Sequence, residues 1–258
     1  MTAVCALHRG TAPLLVSLPH DGTELFDGLR ERLQPSARRL PDTDWHIARL
    51  YEFAHGMGAS ILRPRYSRYV IDLNRGEDDV ALYPGQNTTG LCPATQFSGE
   101  PVYLPGHEPD AAEVRSRVET YWRPYHQALR GELQRIRGNH GRAVLWEAHS
   151  IKGRLPYLFQ GELPDLNLGT ADATSCAPAL QGKVEAVLND QPDYGWVANG
   201  RFKGGYITRH YGDPTNGIDA LQLEISQRTY MDEDTFDYLP RAAAALQALL
   251  QRLLQVLI

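Results

Sequence analysis

His20, Glu147, His149 and Glu224 each follow an apolar run, and residues of these types at strand ends point to metal-assisted hydrolysis. His20 closes Leu14 to Leu18 within Pro19-His20-Asp21-Gly22; Glu147 and His149 follow Ala143 to Trp146; Glu224 ends Leu221-Gln222-Leu223-Glu224. Neutral imidazole is a good zinc ligand, and a catalytic zinc keeps three protein ligands and one open position. The third ligand should then be a carboxylate, and Glu24 and Asp44 both qualify. Each also has an ordinary reading, Glu24 as a solvated loop residue and Asp44 as a helix cap with Asp42 and Thr43. Spacing leaves the choice open. An ionised Glu in a buried strand is costly unless paired or functional. The role open to Glu224 is base toward a water that the cation activates, then acid for the leaving amine; the ordinary alternative is an edge-strand Glu facing water. Glu147 shares a strand face with His149, so it either holds the second ring nitrogen or sits in a structural ion pair.

Ile71-Asp72-Leu73-Asn74-Arg75 adds a carboxylate-reading pair. Arginine binds a carboxylate through two parallel hydrogen bonds, and Asn74 beside Arg75 supplies another donor. Arg68 is placed to polarise a scissile carbonyl, and Arg209 is a second anion-binding candidate. Taken singly, each is an ordinary surface arginine; taken with the histidines, they suggest a small anionic amide as substrate. Rival chemistries are weaker. Ser150 lacks a nucleophile-elbow context, Cys92 needs a histidine brought to it in space, and Gly204-Gly205 is too short for a phosphate loop. Most of His8, His46, His55, His107, His126, His140 and His210 read as surface or helix-face residues.

The elements that must position these groups alternate between strand and helix. Leu14 to Leu18, Ser60 to Leu62, Tyr69 to Ile71, Ala143 to Trp146, Tyr194 to Ala198 and Ala220 to Ile225 read as strands. Helical spacing runs from Asp44 to about Met57, over 110–137 with a bend at Pro124, over Ala179 to Leu188, and over Phe236 to Val256. Gly204 to Ile207 reads as a glycine turn entering an extended piece, and Leu155 to Thr174 as a loop. Residues 76–107 are rich in Gly, Pro, Thr and Asn. A loop of that length is usually functional, so it should lie over the site. The alternation predicts one α/β domain over 1–258, a three-layer αβα sandwich with a mostly parallel mixed sheet. Ligands in such folds bind outside the carboxyl ends of strands, where His20, Asn74, Arg75, His149 and Glu224 fall.

The 258 residues carry a net charge of -5, which gives no reason to expect nucleic acid or an anionic membrane as partner. No apolar run approaches the ~20 residues that span a bilayer. His8, Arg9 and Gly10 interrupt the first apolar stretch, against a secretory signal. Cys5, Cys92 and Cys176 are expected as free thiols in a reducing cytoplasm, so a metal must be held by His and carboxylates. Oligomeric state is not encoded in any pattern found.

The ordered segments resemble the N-formylglutamate amidohydrolases. The segments are Leu18-Pro19-His20-Asp21-Gly22-Thr23-Glu24, Pro41-Asp42-Thr43-Asp44-Trp45-His46, Tyr66 through Arg75, Leu82-Tyr83-Pro84-Gly85-Gln86, Glu147 through Ile151, Asn199 through Arg209, and Gln222-Leu223-Glu224. The family in turn is similar to zinc carboxypeptidases and aspartoacylases. The resemblance implies a zinc exopeptidase-like fold, and zinc or another divalent transition metal at His20, Asp44 and His149. It implies Glu224 as acid-base group, Arg68 on the carbonyl, and Asn74, Arg75 and Arg209 on the substrate carboxylates. The implied reaction is hydrolysis of N-formyl-L-glutamate to formate and L-glutamate in histidine degradation. Two departures stand out: Thr23 replaces the ligand Glu of the wider group, which favours Asp44 over Glu24, and Glu147 replaces an Asp. The alternatives are another N-acyl amino-dicarboxylate as substrate, or a non-catalytic dicarboxylate-binding protein.

Overall fold

Short apolar runs pair into one seven-stranded mixed sheet in a computed structural model that describes residues 3–81, 85 and 87–258. The strands are β1 (Cys5–His8), β2 (Leu14–Ser17), β3 (Ser60–Pro64), β4 (Ala143–Ile151), β5 (Leu166–Gly169), β6 (Trp196–Ala198) and β7 (Ile218–Ser226). Their order is β1-β3-β2-β4-β7-β5-β6. The central four, β3, β2, β4 and β7, run parallel, while β1 and β5 pair antiparallel with the block and β6 follows β5.

Both faces of this sheet are buried. Along β2 and β4, Leu14, Val16, Val144, Trp146 and Ala148 enter one apolar core, and Leu15, Ala143 and Leu145 enter the other, as side-chain alternation requires. The first core packs against α2 (Ile47–Leu50), α5 (Pro178–Asn189) and α7 (Pro240–Gln255). The second packs against α1 (Leu29–Arg32), α4 (Arg123–His140) and α6 (Tyr206–Tyr211). Helices on both faces explain why the central strands are apolar throughout rather than alternating. α3 (Ala111–Arg117) precedes α4 and is capped by Asp110, whose side chain accepts the Glu113 N–H. Among the described residues no helix is long and apolar enough to cross a membrane.

The structure departs from the sequence-based expectations in several places. The helix expected from Asp44 to Met57 is two short pieces, α2 and a 3-10 turn at Glu52–His55. The break falls at Tyr51, whose buried hydroxyl accepts the Trp146 indole N–H at 3.0 Å. Tyr69 to Ile71 is buried but in no strand; Arg117 donates to the Tyr69 and Val70 carbonyls instead. The bend near Pro124 is a π-helical turn over Val118–Trp122, which accommodates the N–H that proline lacks. Gly204-Gly205 leads into helix α6 rather than an extended piece, and β5 lies inside the expected 155–174 loop. β1 was not anticipated; it is a half-buried edge strand. In the 76–107 segment, Leu82, Tyr83, Pro84 and Gln86 lie outside the described residues, and the others form no helix and only isolated bridges.

Candidate active site

Parallel strands bring their carboxyl ends to one edge of the sheet, and a cavity opens there. β2 runs into His20, β4 carries Glu147 and His149, and β7 carries Glu224, which stands directly opposite His149 in the ladder. The segment after β3 contributes Arg68, Asp72, Asn74 and Arg75. The cavity has an empty volume of about 610 Å³, counting its mouth. Asn87, Thr88, Thr89 and Phe97 from the long loop form part of its wall, as expected of that segment.

At its floor His20, Asp44 and His149 converge. His20 Nδ1 lies 3.2 Å from His149 Nδ1, and Asp44 Oδ2 lies 3.1 Å from His149 Nδ1 and 3.8 Å from His20 Nδ1. Ligand atoms held tetrahedrally at zinc bond lengths stand roughly 3.3 Å apart, so the spacing and the N,N,O donor set fit such a cation. All three residues are buried. Glu24 is elsewhere: its carboxylate accepts from Arg65 Nε at 2.6 Å at the surface.

The groups behind the cluster orient it. His20 Nε2 meets Asp72 Oδ1 at 2.7 Å, and Arg68 donates to Asp72 Oδ2 at 2.6 Å. With Nε2 donating to Asp72, His20 Nδ1 presents its lone pair to the cluster. His149 Nε2 lies 3.3 Å from Glu147 Oε1 and 3.0 Å from Asn74 Nδ2. Glu147 Oε2 accepts the Thr208 hydroxyl, and Asn74 Oδ1 accepts the Ile207 N–H. Glu147 Oε1 has no hydrogen-bond partner among the described residues, so it faces His149 Nε2 ready to accept a proton placed there. Gly205 permits this packing, because a Cβ on it would stand 2.2 Å from the Asn74 amide.

Electrostatics follow from burial and this pairing. Burial opposes charge on His149, but Asp44 and Glu147 hold it well above the usual imidazole range. Burial and then Arg68 push His20 down. Asp44, which raises the His149 pKa, is also the carboxylate of the candidate ligand cluster. Burial also opposes ionisation of Asp72, yet Arg68 and His20 keep it well below the usual carboxylate range. Burial pushes Glu224 up to about 8, with Asp44 and Glu147 adding to the rise and His149 and Arg68 opposing it.

The arginines divide. Arg68 is buried, its Nε without a hydrogen-bond partner among the described residues, and Arg75 lines the cavity with its Nε donating to the Thr89 carbonyl. Arg209 is exposed on α6 and is not among the lining residues; Arg201 is, donating to the Leu158 and Asn87 carbonyls. Arg201 and Gln222, which accepts the Gly205 N–H, were not singled out in the sequence. Both lie within segments that carry the family resemblance, and that was the available signal. Ser150 accepts the Tyr230 hydroxyl, Cys92 is pushed by burial up to about 11, and neither stands as a nucleophile. His126 is buried between Leu73 and Tyr211, where burial pushes it down to about 3; it is a structural residue.

The sequence profile of N-formylglutamate amidohydrolases matches residues 12–231. The chain is 51% identical to an N-formylglutamate deformylase of Pseudomonas putida and 49% identical to one of Pseudomonas aeruginosa, over 100% of this chain and 97% of each relative. A crystal structure of an N-formylglutamate amidohydrolase from Ralstonia eutropha JMP134 superposes with a TM-score of 0.84 at 27% identity, covering 99% of this chain and 97% of that one. A protein from Agrobacterium tumefaciens shares the fold at TM-score 0.71 and 17% identity, over 99% of this chain and 95% of that one.

Proposed function

The chain belongs to the N-formylglutamate amidohydrolase family, and from that premise we propose that it hydrolyses N-formyl-L-glutamate to formate and L-glutamate with a divalent cation held by His20, Asp44 and His149. One observation carries the metal reading: two ring nitrogens and a carboxylate oxygen converge at tetrahedral spacing beside Glu224. Zinc is the first candidate, and manganese, iron and cobalt accept similar ligands. The cation supplies a Lewis acid that acidifies water and withdraws charge from the formyl carbonyl.

The remaining work falls to side chains. Glu224 takes the proton of the attacking water and returns it to the departing amine; its raised pKa suits a group that must carry a proton for part of the cycle. Arg68 donates to the carbonyl oxygen as negative charge grows there. Arg75 and Arg201 hold the two substrate carboxylates. Asn74, anchored through Oδ1 by the Ile207 N–H, stands beside His149 and presents Arg75; with the cation on His149 Nδ1, the Nε2 proton would go to Glu147 Oε1, since the Asn74 amide nitrogen only donates. The sequence points to Arg209 for the second carboxylate; because Arg209 lies outside the cavity lining and Arg201 within it, we assign that task to Arg201. Ligand delivery from the carboxyl ends of parallel strands supports a zinc exopeptidase-like sandwich, with 1–258 as one catalytic unit. We place the reaction in histidine degradation, in a cytoplasm where the three free cysteines remain thiols.

The test is to incubate purified protein with N-formyl-L-glutamate, N-acetyl-L-glutamate and N-formyl-L-aspartate and follow acid and amino-acid release. Equimolar formate and glutamate from the first, at the highest rate, is expected. Glutamate binding without turnover of any of them would leave a binding protein instead.

A further inference from the structure

The catalytic cavity has a larger neighbour. A hollow of about 1230 Å³ adjoins it, and Phe97, Ser150 and Ile151 line both. These three residues form the partition between the two spaces, and Phe97 is the largest side chain among them.

That partition stands at the reacting end of the cavity. The Arg68 guanidinium carbon lies 4.5 Å from the centre of the Phe97 ring. Arg75 and Arg201, by contrast, are tied to the carbonyls of Thr89, Asn87 and Leu158. Phe202 also lines the cavity, but its ring lies against Arg201; of the two phenylalanines in the lining, Phe97 is the one that adjoins the group assigned to the scissile carbonyl.

Phe97 is held firmly. The Phe97 N–H donates to Asp42 Oδ2 at 3.0 Å, and the same oxygen accepts the Tyr69 hydroxyl at 2.8 Å. Gln96 N–H donates to Glu100 O, Gly99 N–H donates back to Gln96 O, and Gly99 takes the left-handed φ of 90° that closes this turn. The Gln96 side chain donates to Ser36 Oγ and Pro101 O at 2.9 Å each. The ring packs with Ile151, Leu155 and Leu163, in an apolar cluster separate from the two main cores.

We propose that Phe97 is the acyl-size filter of this enzyme: its ring closes the cavity behind the reacting carbonyl, so that a formyl hydrogen fits and a carbon chain meets the ring. The inference rests on the deformylase reading. A fixed wall discriminates because an added methyl must displace packed atoms. One methylene is worth about 10- to 200-fold in a shaped apolar pocket.

The experiment compares kcat/KM for N-formyl-, N-acetyl- and N-butyryl-L-glutamate in the wild type, Phe97→Leu and Phe97→Ala. Removing the ring joins the cavity to the hollow behind it, so the acetyl-to-formyl and butyryl-to-formyl ratios rise by about tenfold or more in Phe97→Ala, with Phe97→Leu between. Unchanged ratios in a folded variant overturn the proposal, and Phe97→Leu decides alone if Phe97→Ala does not fold. Wild-type protein that releases no formate fails the deformylase reading; an active wild type with unmoved ratios in the variants fails only the filter.

Discussion

In the proposed reaction Glu224 and the arginines carry separable parts, and single substitutions should separate them. Glu224→Gln keeps the shape and removes the base, so kcat falls by about 10²- to 10⁴-fold while KM changes little; steady-state formate release reads both. Arg75→Lys keeps a charge but loses the paired donors, so KM rises by about 10- to 100-fold with a smaller change in kcat. An Arg75→Lys enzyme with unchanged KM would remove that residue from substrate binding. His149 gives a pH prediction for metal-stripped protein. Its folded pKa is raised, so its stabilising contribution is full below the unfolded value near 6.5 and is lost as pH rises through the folded value. The melting temperature of chelated protein therefore falls as pH is raised above about 6.5, and added metal, which displaces that proton, flattens the decline. A decline of equal slope with and without metal would contradict this. Most of these residues were legible because a His or Glu closing a buried apolar run has few structural reasons to be there. Arg201 was not, because an arginine in a polar loop looks like any surface arginine until the fold turns it inward.

At the scale of elements, α6 does more than fill space. Its Ile207 N–H donates to Asn74 Oδ1 and its Thr208 hydroxyl donates to Glu147 Oε2, so both groups beside His149 Nε2 are set by one short helix. Gly205→Ala should therefore disturb the site from a distance. The added Cβ meets the Asn74 side chain at 2.2–2.5 Å, costing about 1–3 kcal/mol of stability and weakening metal retention. Chemical denaturation and metal content after dialysis test the two effects, and a fully stable, metal-retaining variant would show that Asn74 moves aside freely. Local sequence misread this helix because two glycines before Tyr206-Ile207-Thr208 suggest a turn into a strand. The helix forms because Asn74, 133 positions from Ile207 in the chain, takes up one of its free N–H groups. The same kind of tertiary override ended α2 at Tyr51. β1 and β5 escape a sequence reading because Cys5-Ala6-Leu7-His8 runs into Arg9-Gly10, and Leu166-Asn167-Leu168-Gly169 is interrupted by Asn and Gly, so both look like loop.

The whole molecule is a sheet buried on both faces whose carboxyl edge holds the candidate site, and the sheet with helices on both faces followed from the alternation of apolar runs with helical patterns. The long loop was expected over the site, and Asn87 to Thr89 and Phe97 do line the cavity. What no sequence pattern showed was the pairing of β5 and β6 beyond β7, a join made only by register. His149 on β4, His20 in the turn just after β2 and Asp44 in the loop before α2, with partners from α6 and the segment after β3, give the donor cluster its spacing. The proposed turnover requires that cluster to be a working metal centre. The most direct measurement is the rate of formate release from N-formyl-L-glutamate by purified protein as isolated, after chelation, and after zinc is restored. Loss of release on chelation and its recovery with zinc is the predicted result; undiminished release from protein shown to be free of metal would contradict it.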